Sequence, residues 1–195
     1  PMTRANMAFV TDICYLGMHS LTDSLKKGKP TGLKVFGKWK TVYEGLSKLP
    51  PKIRKSWFAF DHFYSDIAFP AILPLVFELH PKTVFDIGAN TGKWAKKCLE
   101  YDKNVQVGLV DLPGQLKMAQ KNLKKYHTRA TYHAVNLLDK KSVLPKNGDA
   151  YLMSQFLDCF SQDEIVAILK KVKTAAGKSS CIYILEPLWD RQEYA

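Results

Sequence analysis

A chain of 195 residues, 46% apolar and 24% charged, is long enough for one full domain with a smaller companion and has the composition of a folded globular protein rather than a disordered one. Its apolar runs fall short of the roughly 18 residues a membrane span needs. The opening "PMTRANMAFVTDICYLGMHS" is broken by Thr11, Asp12 and His19 where a cleavable leader is apolar, so a cytoplasmic protein without a membrane segment is expected. The formal charge of +11 raises nucleic acid as a partner, yet residues 1–80 hold 11 basic and 6 acidic residues and residues 81–195 hold 18 and 12. An excess spread in this way, with no finger motif and no long basic block, argues against nucleic acid. Cys14, Cys98, Cys159 and Cys181 form no C-x-x-C pair, so free thiols are expected, with neither a disulfide scaffold nor a structural metal.

In chain order, "MAFVTDICYLGMHSLTDSLKKG" reads as helical with a glycine interruption. The following "KPTGLKVFGKWKTVYEGLSKLP" mixes Pro30, Gly32 and Gly37 with short apolar alternations suited to a small strand pair, then a helix closed by Pro50 and Pro51. Residues 1–52 are therefore expected to form a helical, winged-helix-like module. Residues 53–80 carry Trp57, Phe58, Phe60, Phe63, Tyr64 and Phe69 at close spacing, a density that suits packing between modules or the roof of a cavity, with plain core packing as the alternative. Pro70 and Pro74 are expected to bend or delimit the helices there.

From Lys82 onward the pattern changes. Strand-like runs at 83–87, 105–111, 130–135, 150–156 and 180–186 alternate with helical patterns at 92–101, 115–126 and 162–175, which predicts a parallel α/β sheet over residues 81–195. Ligands of such sheets bind outside the carboxyl ends of the strands, so the ends of the first, second and fourth strands are where chemistry is expected.

The first of those ends is "VFDIGANTGKWA", a D-x-G-x-x-x-G loop of Asp86, Gly88, Asn90 and Gly92. A turn between a buried strand and a helix offers free backbone N–H groups and a close polar surface. Asn90 stands where a dinucleotide fold has its second glycine, and G-x-x-x-G-K-W is not a P-loop. Asp86 would repel a pyrophosphate but suits a ligand bearing an ammonium or sulfonium. Asp111 ends the second strand, 25 positions on, where a carboxylate can accept from both hydroxyls of a ribose. Either aspartate alone can simply cap a helix or settle a turn. Together, on adjacent strand ends, they favour a nucleoside cofactor without a pyrophosphate.

With "GLVDLPGQLKMAQ", "YHAVNLLD", "GDAYLMSQFLDCFSQDEIVAILKKV" and "IYILEP", this loop resembles the successive motifs of class I S-adenosylmethionine-dependent methyltransferases. The similarity is greatest to small-molecule O-methyltransferases that carry a winged-helix dimerisation module before a Rossmann-like catalytic domain. The resemblance implies S-adenosyl-L-methionine as cofactor, a small organic acceptor methylated on a hydroxyl, and a homodimer formed through the N-terminal module. It places Asp86, Gly88, Asn90 and Gly92 at the methionine end, Asp111 on the ribose, Leu112 on the adenine, Asn136 and Leu137 at the adenine edge, and Ser154 on the cofactor side of the fourth strand. Two further strands follow the fifth in this family, so a chain closing on "PLWDRQEYA" is expected to be an incomplete sheet that binds cofactor and turns over less well than a longer polypeptide.

Plant members of the family carry a histidine followed by Asp-Trp-Ser after the fourth strand, and that histidine deprotonates a phenol. Here "FLDCFSQDE" aligns Phe160 and Ser161 with Trp-Ser and so puts Asp158 in the histidine's place. A carboxylate of ordinary pKa, about 4, is a weak base for a phenol near 10. His62, among the aromatics of "FDHFY", is the other candidate base, with a packing role as its alternative. Two further readings stand beside the small-molecule one: a methyltransferase acting on RNA or protein, and a catalytically weak cofactor-binding or dimerising protein.

Overall fold

The computed structural model describes residues 2–39 and 41–188. The chain divides into two compact units, Pro1–Ala71 and Ile72–Ala195, with the division inside one long helix.

Among the described residues the first unit is helical. Helix α1 (Met2–Phe9) runs through a π-helical turn (Val10–Cys14) into α2 (Tyr15–Met18), and α3 (Leu21–Lys27) ends on Gly28 in the left-handed conformation, the usual way for glycine to stop a helix. Asp12 of the π turn accepts from the Ser56 hydroxyl at 2.6 Å and pairs with Lys52 at 3.0 Å, contacts that hold its carboxyl below the ordinary range. The expected strand pair between Pro30 and Pro50 does not form. Thr31–Val35 is a 3-10 turn and Val42–Gly45 is a short helix, α4. The glycines that suggested a hairpin serve close packing instead: a Cβ on Gly32 would lie 2.4 Å from the Gly17 carbonyl oxygen, and one on Gly37 would lie 2.7 Å from the Trp39 ring.

Helix α5 (Pro51–Phe77) also corrects an expectation, because neither Pro70 nor Pro74 ends it. Pro51 takes the first helical position, where no N–H is required. Residues 66, 70 and 74 form an exposed stripe, so water reaches the helix backbone where the two prolines bring no N–H of their own. Aromatics in the first half of α5 pack within the first unit: Phe60 stacks on Phe9 with centroids 4.2 Å apart, and Trp57 meets Phe9 at 5.5 Å and Tyr43 at 5.9 Å.

The second unit is an α/β sheet of five parallel strands, β1 (Thr83–Ile87), β2 (Gln106–Asp111), β3 (Ala130–Ala134), β4 (Ala150–Ser154) and β5 (Cys181–Leu185), in the order β3-β2-β1-β4-β5. Helices α6 (Lys93–Tyr101), α7 (Pro113–Asn122) and α8 (Gln162–Ala175) lie between strands as the alternation predicts. β1, β2 and β4 are buried almost throughout, which is why they read as apolar runs rather than as alternating patterns. One face packs Phe85, Ile87, Tyr151 and Met153 against Ile168 and Val172 of α8. The start of α8 is fixed by a capping box, in which the Ser161 hydroxyl accepts from the Glu164 N–H while the Glu164 carboxylate accepts from the Ser161 N–H. The nine residues of "PLWDRQEYA" read as the chain's close fall largely outside the described residues, from 189 onward.

Candidate active site

Because β2 and β3 extend from one side of β1 while β4 and β5 extend from the other, the strand order reverses between β1 and β4. The carboxyl ends of these two strands therefore border the crevice in which an open α/β sheet holds its ligand. Asp86, Gly88, Asn90, Gly92, Asp111, Leu112 and Ser154 gather along that edge.

The loop after β1 is bent by three left-handed residues, Gly88 (φ 74°), Asn90 (φ 49°) and Gly92 (φ 77°). It is tied to β2 by Gly88 N–H donating to the Val110 carbonyl at 2.9 Å, and to α7 by the Asn122 amide donating to the Thr91 carbonyl at 2.9 Å. The protein itself accounts for both glycines. A Cβ on Gly92 would press on Leu123, Leu109 and Ala119 at 3.0 to 3.2 Å, and one on Gly88 would lie 2.3 Å from the Phe156 ring. Asparagine at position 90 keeps the left-handed turn because its short polar side chain tolerates that conformation better than most.

The two aspartates are not equivalent. Asp86 is 5% exposed and accepts from the Ala95 N–H at 3.2 Å, so its carboxyl lies inside the first turn of α6. Burial raises its pKa to about 7, against the pull of that N–H and with a further push from Asp111. Asp111 is half-buried and takes the Asn90 N–H at 2.7 Å on one oxygen and the Leu112 N–H at 2.6 Å on the other. Burial of its carboxyl raises it to about 6, and the two N–H groups oppose the rise. Asp111 thus clasps the loop after β1 to the start of α7, and each of its two oxygens keeps capacity to accept a further hydrogen bond.

Of the other expected cofactor residues, Leu112 is the N-cap of α7, half-buried beside Asp111. Asn136 is exposed and its side-chain oxygen accepts from the Leu138 N–H at 3.0 Å, while the Leu137 side chain is buried in the core. The hydroxyl of Ser154, at the end of β4, is buried without a hydrogen-bond partner among the described residues.

After β4 the chain turns sharply through Gln155 (φ 47°), whose N–H donates to the Leu185 carbonyl at 2.9 Å. The next two N–H groups, of Phe156 and Leu157, both point at one oxygen of Glu186 at 2.8 Å, and the Asp158 backbone adds to this cradle. The second Glu186 oxygen is buried with no partner among the described residues. Burial raises the pKa of Glu186, and the nearby Asp158 charge raises it further, while the backbone N–H groups oppose the shift. Asp158 itself is exposed and accepts a weak bond from the Cys159 thiol at 3.3 Å. Glu186 is a residue that sequence reasoning missed. Its signal was present, an apolar strand closing on an acid in "YILEP" as in "VFD" and "GLVD", but the search covered only the first, second and fourth strand ends.

The second candidate base belongs to the first unit. His62 stacks on Phe58 with ring centroids 5.4 Å apart and lies 3.8 Å from the Asp61 carboxylate, both side chains being partly exposed.

The O-methyltransferase domain family matches residues 19–194. The chain belongs to the O-methyltransferase family. It is 23% identical over 184 residues to acetylserotonin O-methyltransferase of Gallus gallus, covering 93% of this chain and 52% of the relative. It is also 23% identical over 164 residues to phenazine-1-carboxylate N-methyltransferase of Pseudomonas aeruginosa, covering 84% and 47%. Human N-acetylserotonin methyltransferase, solved in complex with S-adenosylmethionine, shares the fold with a TM-score of 0.75 at 15% identity over 96% of this chain and 53% of that one. The chain spans about half the length of the curated relatives it matches.

Proposed function

We propose that this O-methyltransferase-family chain binds S-adenosyl-L-methionine along the carboxyl ends of β1, β2 and β4 and transfers its methyl group to a hydroxyl of a small organic acceptor. The observation that carries the reading is the clasp between Asp111 and the left-handed loop of Gly88, Asn90 and Gly92. A carboxylate held by two backbone N–H groups at the end of the second strand supports a ribose contact there, because a carboxylate can accept from two hydroxyls. Asp86, once ionised, supplies negative charge beneath the end that would receive a sulfonium and an ammonium. The sulfonium methyl is already electrophilic, so the protein has to align the acceptor, exclude water and remove a proton where the acceptor keeps one.

Asp158 and His62 are the proposed bases, with Asp158 at the β4 turn and His62 on α5. Asp158 acts on an acceptor whose proton is readily lost, or through a proton chain. A homodimer through the N-terminal module and a cytoplasmic location complete the reading. Among the described residues no helix is long and apolar enough to cross a membrane. The reading is tested by incubating the chain with methyl-labelled S-adenosylmethionine and a panel of hydroxylated aromatic and heterocyclic acids and amines. Label is expected in an ether product, with Asp158→Asn lowering the rate by about 10²-fold. Label in RNA or protein, or in no acceptor despite cofactor binding, would contradict it.

A further inference from the structure

The crevice between β1 and β4 is already lined at one point by the protein. Gly88, at the end of β1, has φ 74° and no room for a side chain, since a Cβ there would lie 2.3 Å from Cδ2 of Phe156. Phe156 is half-buried, and its ring packs on the core cluster while standing beside Gly88. Three features hold it in place: the left-handed Gln155 before it, the Glu186 carboxylate that takes its N–H at 2.8 Å, and the Phe160 ring set edge-on with centroids 4.9 Å apart. A strained residue and a buried carboxylate are a costly way to aim one apolar ring. A ring needed only for core volume could be placed without either.

We propose that Phe156 is a specificity-determining wall of the ligand crevice, its ring setting how much room remains beside Gly88 for the alkyl group on the sulfonium of the methyl donor. The proposal rests on the methyl-donor reading above. The absent side chain of Gly88 makes room for Phe156, and Phe156 in turn limits what fits beside the loop. A methyl group is the smallest alkyl substituent a sulfonium can carry, and a rigid aromatic wall discriminates against one additional methylene more sharply than a mobile aliphatic one does.

The test measures dissociation constants for S-adenosyl-L-methionine, its S-ethyl analogue and S-adenosylhomocysteine by calorimetry, on wild type, Phe156→Ala, Gly88→Ala and the double variant. In wild type the methyl donor is expected to bind more tightly than the ethyl one, and Phe156→Ala should narrow that preference by about tenfold. Gly88→Ala should weaken all three ligands by about tenfold or more, and adding Phe156→Ala should recover part of the loss. An unchanged methyl-to-ethyl ratio in Phe156→Ala overturns the proposal while leaving the methyl-donor reading in place. If Gly88→Ala fails to fold, that same ratio in the single Phe156→Ala variant decides. Wild type that binds none of the three overturns the methyl-donor reading and the proposal with it.

Discussion

Asp86 and Asp111 are one residue type on neighbouring strand ends, and burial gives each a folded pKa above the ordinary carboxylate value, about 7 and about 6 respectively. The sign of the linkage follows directly. Between about pH 4 and pH 7 the folded chain holds protons that the unfolded chain has released, so these two groups make the unliganded protein less stable as pH rises. A cationic ligand reverses the balance, because it meets more negative charge at higher pH. Urea unfolding at pH 5.5 and pH 8 is expected to show wild type losing stability with pH, and Asp86→Asn losing much of that slope. Calorimetry over the same range is expected to show S-adenosylmethionine binding more tightly at pH 8. Weaker binding at pH 8, or an Asp86→Asn slope equal to that of wild type, would remove Asp86 from this role.

At the scale of elements, the second unit was the legible part. β1 and α8 match their expected bounds, and β2 to β5 differ by one or two residues at their ends, because buried parallel strands and helices of full length leave strong apolar periods. The segment between Pro30 and Pro50 does not show its structure in its sequence, because Gly32 and Gly37 look like turn residues whether the need is for a hairpin or for a close approach of Gly17 and Trp39. At the site, Asp111 was legible as a conspicuous strand end, whereas the pairing of Phe156 with Gly88 and of Glu186 with the β4 turn joins residues 68 and 30 positions apart, which no local pattern reveals. The continuity of α5 carries a prediction of its own. Replacing Pro74 by alanine restores an N–H for the Pro70 carbonyl at an exposed position. The interior-helix penalty of about 3 kcal/mol exceeds the roughly 1 kcal/mol lost through a freer unfolded chain, so a net stabilisation of about 2 kcal/mol is expected in urea melts. A destabilised Pro74→Ala would mean that the helix depends on its prolines.

At the scale of the whole molecule, the first unit exposes Met7, Tyr15, Leu16, Met18 and Leu25 on short helices that bury little of their own surface. The proposed dimer covers surface of this kind. Sedimentation at tens of micromolar is expected to give a dimer, and Leu16→Glu combined with Leu25→Glu to shift it towards monomer. A wild-type monomer at that concentration, together with tight sequence-selective binding to duplex DNA, would reverse the assignment of this unit.

The central claim is that the carboxyl edge of β1, β2 and β4 holds a nucleoside cofactor without a pyrophosphate, and the direct measurement is calorimetric titration of the chain with S-adenosylhomocysteine and, separately, with NAD. The account predicts micromolar binding of S-adenosylhomocysteine, little or none of NAD, and a loss of about 1.5 to 3 kcal/mol in Asp111→Ala as charge-assisted bonds to the ribose disappear. Tighter binding of NAD, or equal affinity for S-adenosylhomocysteine in Asp111→Ala and wild type, would contradict it.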